Sequence, residues 1–408
     1  MNSLESIIMY KIIKNILVIF LGIPIAVFVR IVKPLILIRF GYFYGPRIGH
    51  FSFDVEYYLG EREQKKSKSL DIFFISKPIS NHYFVKLISR KIILFSPIAL
   101  AFYANKYFSD YKIHEYIPAI VSNGTRDLNG YISNTKNHLH FTEEENIKGH
   151  KFLESLGSLN SNKFVCLNIR DSAYLKSQLF EYNFNRGNYR DSDINTYKKT
   201  IKFLTESGYF VLRMGKLTEK SIVNFSGFYD YSNSNKRTEF LDIWLMANCH
   251  FAISTSSGLD SVCNIFRRPV AFVNSLPISH IPEWNPKSIF TPKNIINNKT
   301  GQKLVLSEII QKDLIGYTDG TDYIDKLKKR DCALINNDEN EILETVKEII
   351  KNINSNWKEG ASTEDQKAFW NLLKNWKDFS KNFNINNFPY VGSISNNYLS
   401  KNKNWFLK

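Results

Sequence analysis

The sequence predicts an α/β protein whose main sheet is parallel and doubly wound, in a chain long enough for two domains. From residue 163 to residue 274, short buried runs alternate with amphipathic segments through short turns. This alternation is typical of a parallel sheet with helices on both faces. A length of 408 residues allows two separate cores. The hydrophobic fraction of 43% and the charged fraction of 23% are ordinary for a globular protein.

The N-terminal half contains two predicted strands. The apolar run 35–41 (LILIRFG) is the first, and 69–76 (SLDIFFIS) is the second. Residues 45–61 between them read GPRIGHFSFDVEYYLGE, in which Gly49 predicts a turn. The polar stretch 121–140 is rich in turn residues and predicts a connection between the domains.

The C-terminal half opens with a predicted helix in FTEEENIKGHKFLESLG, where Thr142 is the N-cap and Glu145 completes a capping box. The predicted strands that follow are 163–170, 209–215, 250–255 and 269–274. The predicted helices are 194–208, 238–249, 258–268, 337–353 and 364–383. In such sheets ligands bind outside the carboxyl ends of the strands, so the residues after each strand are the candidates for a site.

The charge distribution indicates an anionic partner. The net charge is +15, and residues 6–53 contain six basic and no acidic side chains. The uncharged run 15–29 is shorter than the ~20 residues that a spanning helix needs, and Gly22 and Pro24 interrupt it. We therefore expect residues 1–34 to lie in an anionic leaflet. A buried first helix or a single tilted span are the alternatives.

The cysteines and histidines predict no metal site. Cys166, Cys249, Cys263 and Cys332 form no C-x-x-C pair, so buried thiols in a reducing compartment are expected. His138 and His140 have no further ligand nearby and fit a surface loop.

The stretch FAISTSSGLDSVCNIF places small residues between a strand and a helix. We expect the backbone and hydroxyls of Ser254, Thr255, Ser256, Ser257 and Gly258 to hold a phosphate at the helix N-terminus. An ordinary capped turn is the alternative. A serine nucleophile is not expected, since no serine lies in a G-x-S-x-G pattern.

Basic residues follow the neighbouring strands. Arg170 and Asp171 come after one strand, and Arg213, Gly215 and Lys216 end the next. Such groups suit a diphosphate, although a surface salt bridge is the alternative for each arginine.

Two further segments carry titratable candidates. In the loop NRGNYRDSD, Arg190 is a candidate substrate contact, while Asp193 is expected to cap the next helix. After the first strand, His50, Asp54 and Glu56 are candidates for a general base that deprotonates a sugar hydroxyl. The alternative for His50 is a loop hydrogen bond.

Several short motifs follow one another along the chain in a fixed order. They are RIGHF, EYYLGE, FTEEE, FVCLNIRDSAYLK, NYRDSDINTY, VLRMGK, FLDIWLMANCHFAISTSSGL, RRPVAFVN and STEDQKAFW. In this order they resemble a family of bacterial glycosyltransferases from surface-polysaccharide clusters, over nearly the whole chain from Arg47. Ser254 stands where the family pattern has glycine.

The resemblance implies a GT-B-like architecture, with two Rossmann-like domains facing a cleft. The expected segments are a membrane-associating segment 1–34, an acceptor-side domain 35–140, a nucleotide-sugar domain 141–355 and a helical tail 356–408, a candidate to pack back on the N-terminal domain. It implies sugar transfer from a nucleotide-sugar to a glycan or lipid-linked acceptor for O-antigen or capsule synthesis. No metal or other cofactor is expected, and the location is the cytoplasmic face of the bacterial inner membrane.

Other functions share parts of this pattern. A nucleotide-sugar epimerase or a pyruvyl-type transferase would use the same fold. A non-catalytic, membrane-bound sugar-binding scaffold is an alternative from another class. Nucleic-acid binding is not indicated, since no basic, aromatic-interleaved motif is present.

Overall fold

A computed structural model describes the fold of two compact units, Met1–Thr125 and Arg126–Lys408. The structure describes residues 9, 13, 15–122, 125–158, 163–171, 188–216, 218–282, 284–316, 322–357, 363–384 and 393–408. Arg186 and residues 172–176 of the IRDSAYLK motif lie outside the described residues. The division between the units falls inside the polar stretch 121–140, which the sequence predicts as a connection.

The first unit contains a four-stranded parallel sheet in the order β3-β2-β1-β4. Its strands are β1 (Ile38–Phe43), β2 (Leu70–Ile75), β3 (Ile93–Leu94) and β4 (Glu115–Tyr116). Its α-helices are α1 (Ile23–Ile31), α2 (Ile48–Lys65), α3 (His82–Ile88), α4 (Ile98–Asn105) and α5 (Ala119–Ser122). Strand β1 begins later than predicted because the amides of Leu35 and Ile36 bond back to Val32 and close a turn after α1.

Helices cover both faces of the first sheet, because alternate residues of each strand point to opposite sides. On one face, Phe40 packs with Ile98 and Phe102 of α4. On the other, Phe73 stacks on Phe43 at 4.5 Å and meets Tyr58 of α2 edge-on at 4.8 Å. A separate finding concerns the N-terminal segment: within the described residues, no helix is both long and apolar enough to cross a membrane.

The second unit contains a seven-stranded parallel sheet in the order β13-β10-β9-β8-β5-β6-β7. These strands are β5 (Phe164–Asn168), β6 (Phe210–Arg213), β7 (Phe228–Tyr229), β8 (Phe251–Ser254), β9 (Val270–Ser275), β10 (Ser288–Pro292) and β13 (Ser393–Ile394). A two-stranded antiparallel sheet pairs β11 (Asn294–Asn297) with β12 (Cys332–Ile335). The four strands predicted in this half are confirmed, but β9 does not end the series.

The second unit has α-helices before, between and after these strands. They are α6 (Glu143–Ser155), α7 (Lys198–Glu206), α8 (Glu239–Asn248), α9 (Asp260–Ile265), α10 (Leu306–Gln311), α11 (Tyr323–Lys329), α12 (Glu339–Asn354), α13 (Glu364–Leu373), α14 (Phe379–Asn382) and α15 (Asn396–Phe406). The predicted capping box at the start of α6 is confirmed, since Thr142 and Glu145 each bond the other's backbone amide. All four cysteines are buried free thiols.

The second sheet is also covered on both faces. Val165 of β5 packs in a cluster with Ile201 of α7 and Val346 of α12. Its neighbour Phe164 points to the opposite face and stacks on Trp244 of α8 at 6.3 Å. This arrangement confirms the predicted α/β class and the doubly wound parallel sheet.

The described part of the C-terminal tail is built into the second unit. Strand β13 extends the sheet next to β10. The Glu348 carboxylate of α12 accepts hydrogen bonds from the Ser395 hydroxyl at 2.7 Å and from the Asn396 and Asn397 amides at 2.9 and 3.1 Å. The tail therefore completes the edge of this sheet.

Candidate functional site

The second sheet has a topological switch point between β5 and β8. Strands β6 and β7 extend from β5 toward one edge, whereas β8, β9 and β10 extend toward the other. Because the helices that leave β5 and β8 turn to opposite faces, a crevice opens outside the carboxyl ends of these two strands. Ligands of open α/β sheets bind at such crevices.

Polar groups from both strands bond to one another at this switch point. The Asn168 amide nitrogen donates to the Ser257 hydroxyl at 2.6 Å and to the Ser254 hydroxyl at 3.4 Å. The Arg170 backbone amide donates to the Thr255 hydroxyl at 3.0 Å. The predicted residues Arg170 and Ser254–Ser257 are therefore brought together, with Gly258 exposed in the same turn.

The turn itself differs from the predicted serine cap. Helix α9 begins at Asp260, has six residues, and has no side-chain hydrogen bond at its N-cap, Leu259. Such a short helix has little dipole to offer an anion. The Ser254 hydroxyl instead donates to the buried Asp260 carboxylate at 2.7 Å. Burial raises the pKa of Asp260 to about 6, opposed by this hydrogen bond.

The backbone of the turn is fixed in an unusual conformation. Ser256 has a φ of +60°, and its hydroxyl lies 3.2 Å from that of Ser275 at the end of β9. Its carbonyl accepts a hydrogen bond from the Arg190 guanidinium at 3.0 Å. Non-glycine residues in this region cost free energy and cluster at functional sites.

Three cationic side chains lie around the switch point. Arg190 is held as described above, and Arg170 pairs with Asp191 at 3.5 Å. Lys293 follows β10, is only 5% exposed, and donates to the Asp191 carbonyl at 2.8 Å. Burial lowers the pKa of Lys293 to about 8, against the attraction of Asp191. The carboxylates of Asp191 and Asp260 lie among these cations. Basic side chains beside hydroxyl groups are the kind of donors that bind phosphate.

Arg213 and Asp171 belong to a neighbouring network of ion pairs and hydrogen bonds whose partners are all groups of the protein. The Arg213 side chain is 2% exposed, pairs with Asp230 at 3.2 Å and donates to the Lys220 carbonyl. Asp171 accepts from the Glu219 amide at 2.9 Å and lies 3.9 Å from Arg213. These contacts hold the segment after β6 in place, which is a structural role.

Gly215 lies in the same segment after β6. Its φ is +148°, and a Cβ at this position would lie 3.3 Å from Ser232 and from Thr218. The close approach that Gly215 permits is thus to the protein's own loop. Lys216 beside it is exposed.

A cavity of about 290 Å³ lies at the same edge of the sheet. Its charged lining consists of Asp171, Asp191, Asp193, Arg213, Glu219 and Lys220. Asp193 also accepts from the Asn195 amide at 3.0 Å, which confirms its predicted role as a cap, although the capped turn is a 3₁₀ turn.

The first sheet also has a switch point, between β1 and β4. The three candidate base residues of the first unit lie on α2, the helix that follows β1. His50 is half-buried in the first turn of α2, directly after β1, and its ring centre is 6.1 Å from that of Tyr44. The predicted turn at Gly49 is wrong, because Gly49 lies inside the helix.

Asp54 and Glu56 are fully buried. One Asp54 oxygen accepts from the Ile120 amide at 2.8 Å, and the other has no hydrogen-bond partner. Asp54 lies one turn after His50 on the same helix face, whereas Glu56, two residues on, points elsewhere. His50 is thus the candidate of the three that reaches the surface.

We expect Asp54 to make the stability of the protein pH-dependent. Burial raises its pKa to about 8, partly offset by the Ile120 hydrogen bond. The contribution of Asp54 to the free energy of unfolding is fully present below the ordinary pKa of 3.8. It falls by about 1.4 kcal/mol per pH unit as the pH rises toward the pKa in the folded protein. Asp54→Asn should abolish this slope, as measured by urea unfolding between about pH 5 and about pH 8. Equal slopes for both proteins would contradict the assignment.

Sequence reasoning missed Asn168 and Lys293. Asn168 could have been found as the polar residue inside the apolar run KFVCLNIR. Lys293 follows a strand that the sequence did not predict, because Pro292 ends it and Asn-rich residues follow. Within the described ranges, no three His, Cys, Asp or Glu side chains are grouped as a metal site requires. The expected metal independence stays a prediction.

No family model and no curated protein matches this chain. Among solved structures, the iron-containing dodecameric glycosyltransferase TibC of enterotoxigenic E. coli is similar with 17% identity and a TM-score of 0.34, covering 62% of each chain. The chain thus spans 62% of TibC. A glycosyl transferase family 9 protein of Veillonella parvula has 12% identity and a TM-score of 0.42, over 78% of this chain and 98% of that one.

The ADP-heptose LPS heptosyltransferase II of E. coli is similar at a comparable level. It has 12% identity and a TM-score of 0.44, over 78% of this chain and all of that one (100%). Because identities and TM-scores this low do not define function, the interpretation of the site depends on its own residues.

Proposed function

We propose that the protein is a glycosyltransferase that moves a sugar from a nucleotide-sugar donor to a glycan or lipid-linked acceptor. The observation that carries the proposal is the convergence of Arg170, Arg190 and Lys293 with hydroxyl groups at the β5–β8 switch point. The ordered motifs described from the sequence support the same activity. The synthesis of a bacterial surface polysaccharide, such as O-antigen or capsule, is part of the proposal.

The second unit is the proposed donor site. In the reaction, the acceptor oxygen forms a bond to the anomeric carbon while the bond from that carbon to the diphosphate breaks. Negative charge then builds up on the diphosphate. Fixed cations and hydrogen-bond donors stabilise such charge most when they are placed in advance. Arg190 and Lys293 meet this condition, since both are held by backbone carbonyls.

The first unit is the proposed site of acceptor activation. A general base must come within hydrogen-bond reach of the hydroxyl that it deprotonates. His50 is half-buried in the first turn of α2, whereas Asp54 and Glu56 have no exposed surface. We therefore propose His50 as the base and Asp54 as a buried group that supports its helix. The protein would act at the cytoplasmic face of the inner membrane and without a metal ion.

The test of the donor site is nucleotide binding. Calorimetry against a panel of nucleoside diphosphates and nucleotide-sugars should show binding to the wild-type protein. Arg190→Ala should weaken it by about 10- to 100-fold, because a charge-assisted hydrogen bond contributes about 1.5–3 kcal/mol. Lys202→Ala, which removes a cation that is 76% exposed on α7, is the matched control and should bind like the wild type.

The outcome separates the candidate functions. Release of nucleoside diphosphate only when acceptor is present supports sugar transfer. Conversion of the nucleotide-sugar without acceptor indicates an epimerase, and transfer of a pyruvyl group indicates that related class. Absence of binding to every nucleotide indicates a non-catalytic scaffold and would overturn the proposal.

A further inference from the structure

The N-terminal helical segment has an apolar face that the fold does not cover. Residues 15–31 form one continuous helical segment with a π-helical turn at Val18–Gly22 followed by α1. The residues buried along it are Val18, Gly22, Ala26 and Val29. On the other side, Phe20 is 72% exposed, Phe28 56% and Ile31 69%. We call the exposed apolar set the outer face, and it consists of Ile16, Leu17, Ile19, Phe20, Leu21, Val27, Phe28 and Ile31.

The segment is fixed on the first unit by its other face. Gly22 packs so closely on α4 that a Cβ there would lie 2.4 Å from the Leu100 carbonyl oxygen. Val18 and Ala26 form a small cluster with Ala104. The inner face is therefore a true packing surface, and the outer face is not needed to hold the segment in place.

The C-terminal end of the segment is also anchored. The Arg30 guanidinium bonds to Asp110 at 2.6 and 2.8 Å and to Asn105 at 2.8 Å. It also lies 3.9 Å from the centre of the Phe108 ring. These contacts neutralise the charge of Arg30 and fix the orientation of the outer face.

The outer face is unlike a solvent-exposed helix surface. Residues 15–29 contain no charged side chain, although half of such a helix normally faces water. Soluble proteins rarely expose contiguous apolar surface of this kind unless it binds a partner. Burying these apolar side chains in lipid is more favourable than leaving them in water.

The charge around the segment selects an anionic partner. Residues 6–53 contain six basic and no acidic residues. Of these, Arg30 is paired with Asp110 and Arg39 with Asp71, whereas Lys33 is exposed just after α1. Within the described residues no helix is suited to cross a bilayer. We propose that the outer face lies in the plane of an anionic leaflet, with Phe20 and Phe28 inserted at the boundary of headgroups and acyl chains. This inference stands independently of the proposed sugar transfer.

The first test is vesicle co-sedimentation of the full chain. The wild type should bind vesicles of phosphatidylcholine with phosphatidylglycerol, and salt should weaken this binding. Phe20→Ser/Phe28→Ser should lower the partition coefficient at least about 100-fold. The matched control is Val223→Ser/Phe225→Ser in the second unit, where the side chains are 86% and 49% exposed, and it should bind like the wild type.

Two outcomes overturn the proposal. The first is equal binding of the wild type and the Phe20→Ser/Phe28→Ser variant. The second is a wild type that does not bind vesicles but forms a dimer by light scattering that the same variant dissociates. That result would assign the outer face to a second copy of the chain.

A second measurement keeps the proposal testable if the double variant does not fold. Phe20→Cys can be labelled selectively with a polarity-sensitive dye, because the four native cysteines are buried. Vesicles should shift its emission to the blue, whereas Val223→Cys with the same dye should show no shift. Equal emission of the Phe20→Cys conjugate with and without anionic vesicles would also overturn the proposal.

Discussion

Arg213→Ala is expected to destabilise the second unit by about 3–5 kcal/mol. The Arg213 side chain is 2% exposed and pairs with Asp230, which is itself 3% exposed. Removing the cation leaves a buried carboxylate without its charge partner, although Ser232 and the Ile222 amide still bond to it. The same substitution removes the donor to the Lys220 carbonyl. Urea unfolding at neutral pH measures the loss.

A surface ion pair provides the comparison. Lys202 and Glu206 are 76% and 65% exposed on α7, so Lys202→Ala should change the free energy of unfolding by less than about 1 kcal/mol. If Arg213→Ala unfolds like the wild type but loses its response to nucleotides, Arg213 belongs to the donor site instead. The sequence alone favoured that second interpretation.

The difference between the two arginines shows where sequence reasoning reaches its limit. Arg170 and Arg213 both end or follow a buried strand, so the sequence treats them alike. The fold separates them, because β8 lies next to β5 on one side and β6 with its following loop lies on the other. Their partners therefore differ, because Arg213 pairs with Asp230 and Arg170 with Asp191. The order of the motifs along the chain predicts neither pair.

The strands were predictable because each is a short, fully buried run between turn residues. Strands β5, β6, β8 and β9 have every residue buried, which gives the continuous apolar signal of a parallel sheet. Strand β10 was missed, and with it Lys293, because its sequence SIFTP includes Ser288, Thr291 and Pro292 and gives no continuous apolar run, although every residue is buried. The tail strand β13 has two residues, too few for any periodicity.

His50→Ala is expected to lower the turnover of sugar transfer by about 10²- to 10⁴-fold, the usual contribution of a general base. This prediction rests on the proposed function. Nucleotide binding, which we assign to the second unit, should be unchanged within error. The measurement is the rate of nucleoside diphosphate release at saturating donor and acceptor, together with calorimetry on the same protein.

The control for this variant is His82→Ala, which removes another imidazole from the first unit. His82 is exposed in the first turn of α3, so its loss should leave turnover at the wild-type level.

A loss of turnover in Asp54→Asn, with full activity in His50→Ala, would assign the role of general base to the buried Asp54 carboxyl. In that case activity should rise as the pH approaches about 8, because burial holds the Asp54 pKa there and only the deprotonated carboxylate accepts a proton. If both variants keep full turnover while Arg190→Ala loses nucleotide binding, the donor site stands and acceptor activation comes from another part of the chain.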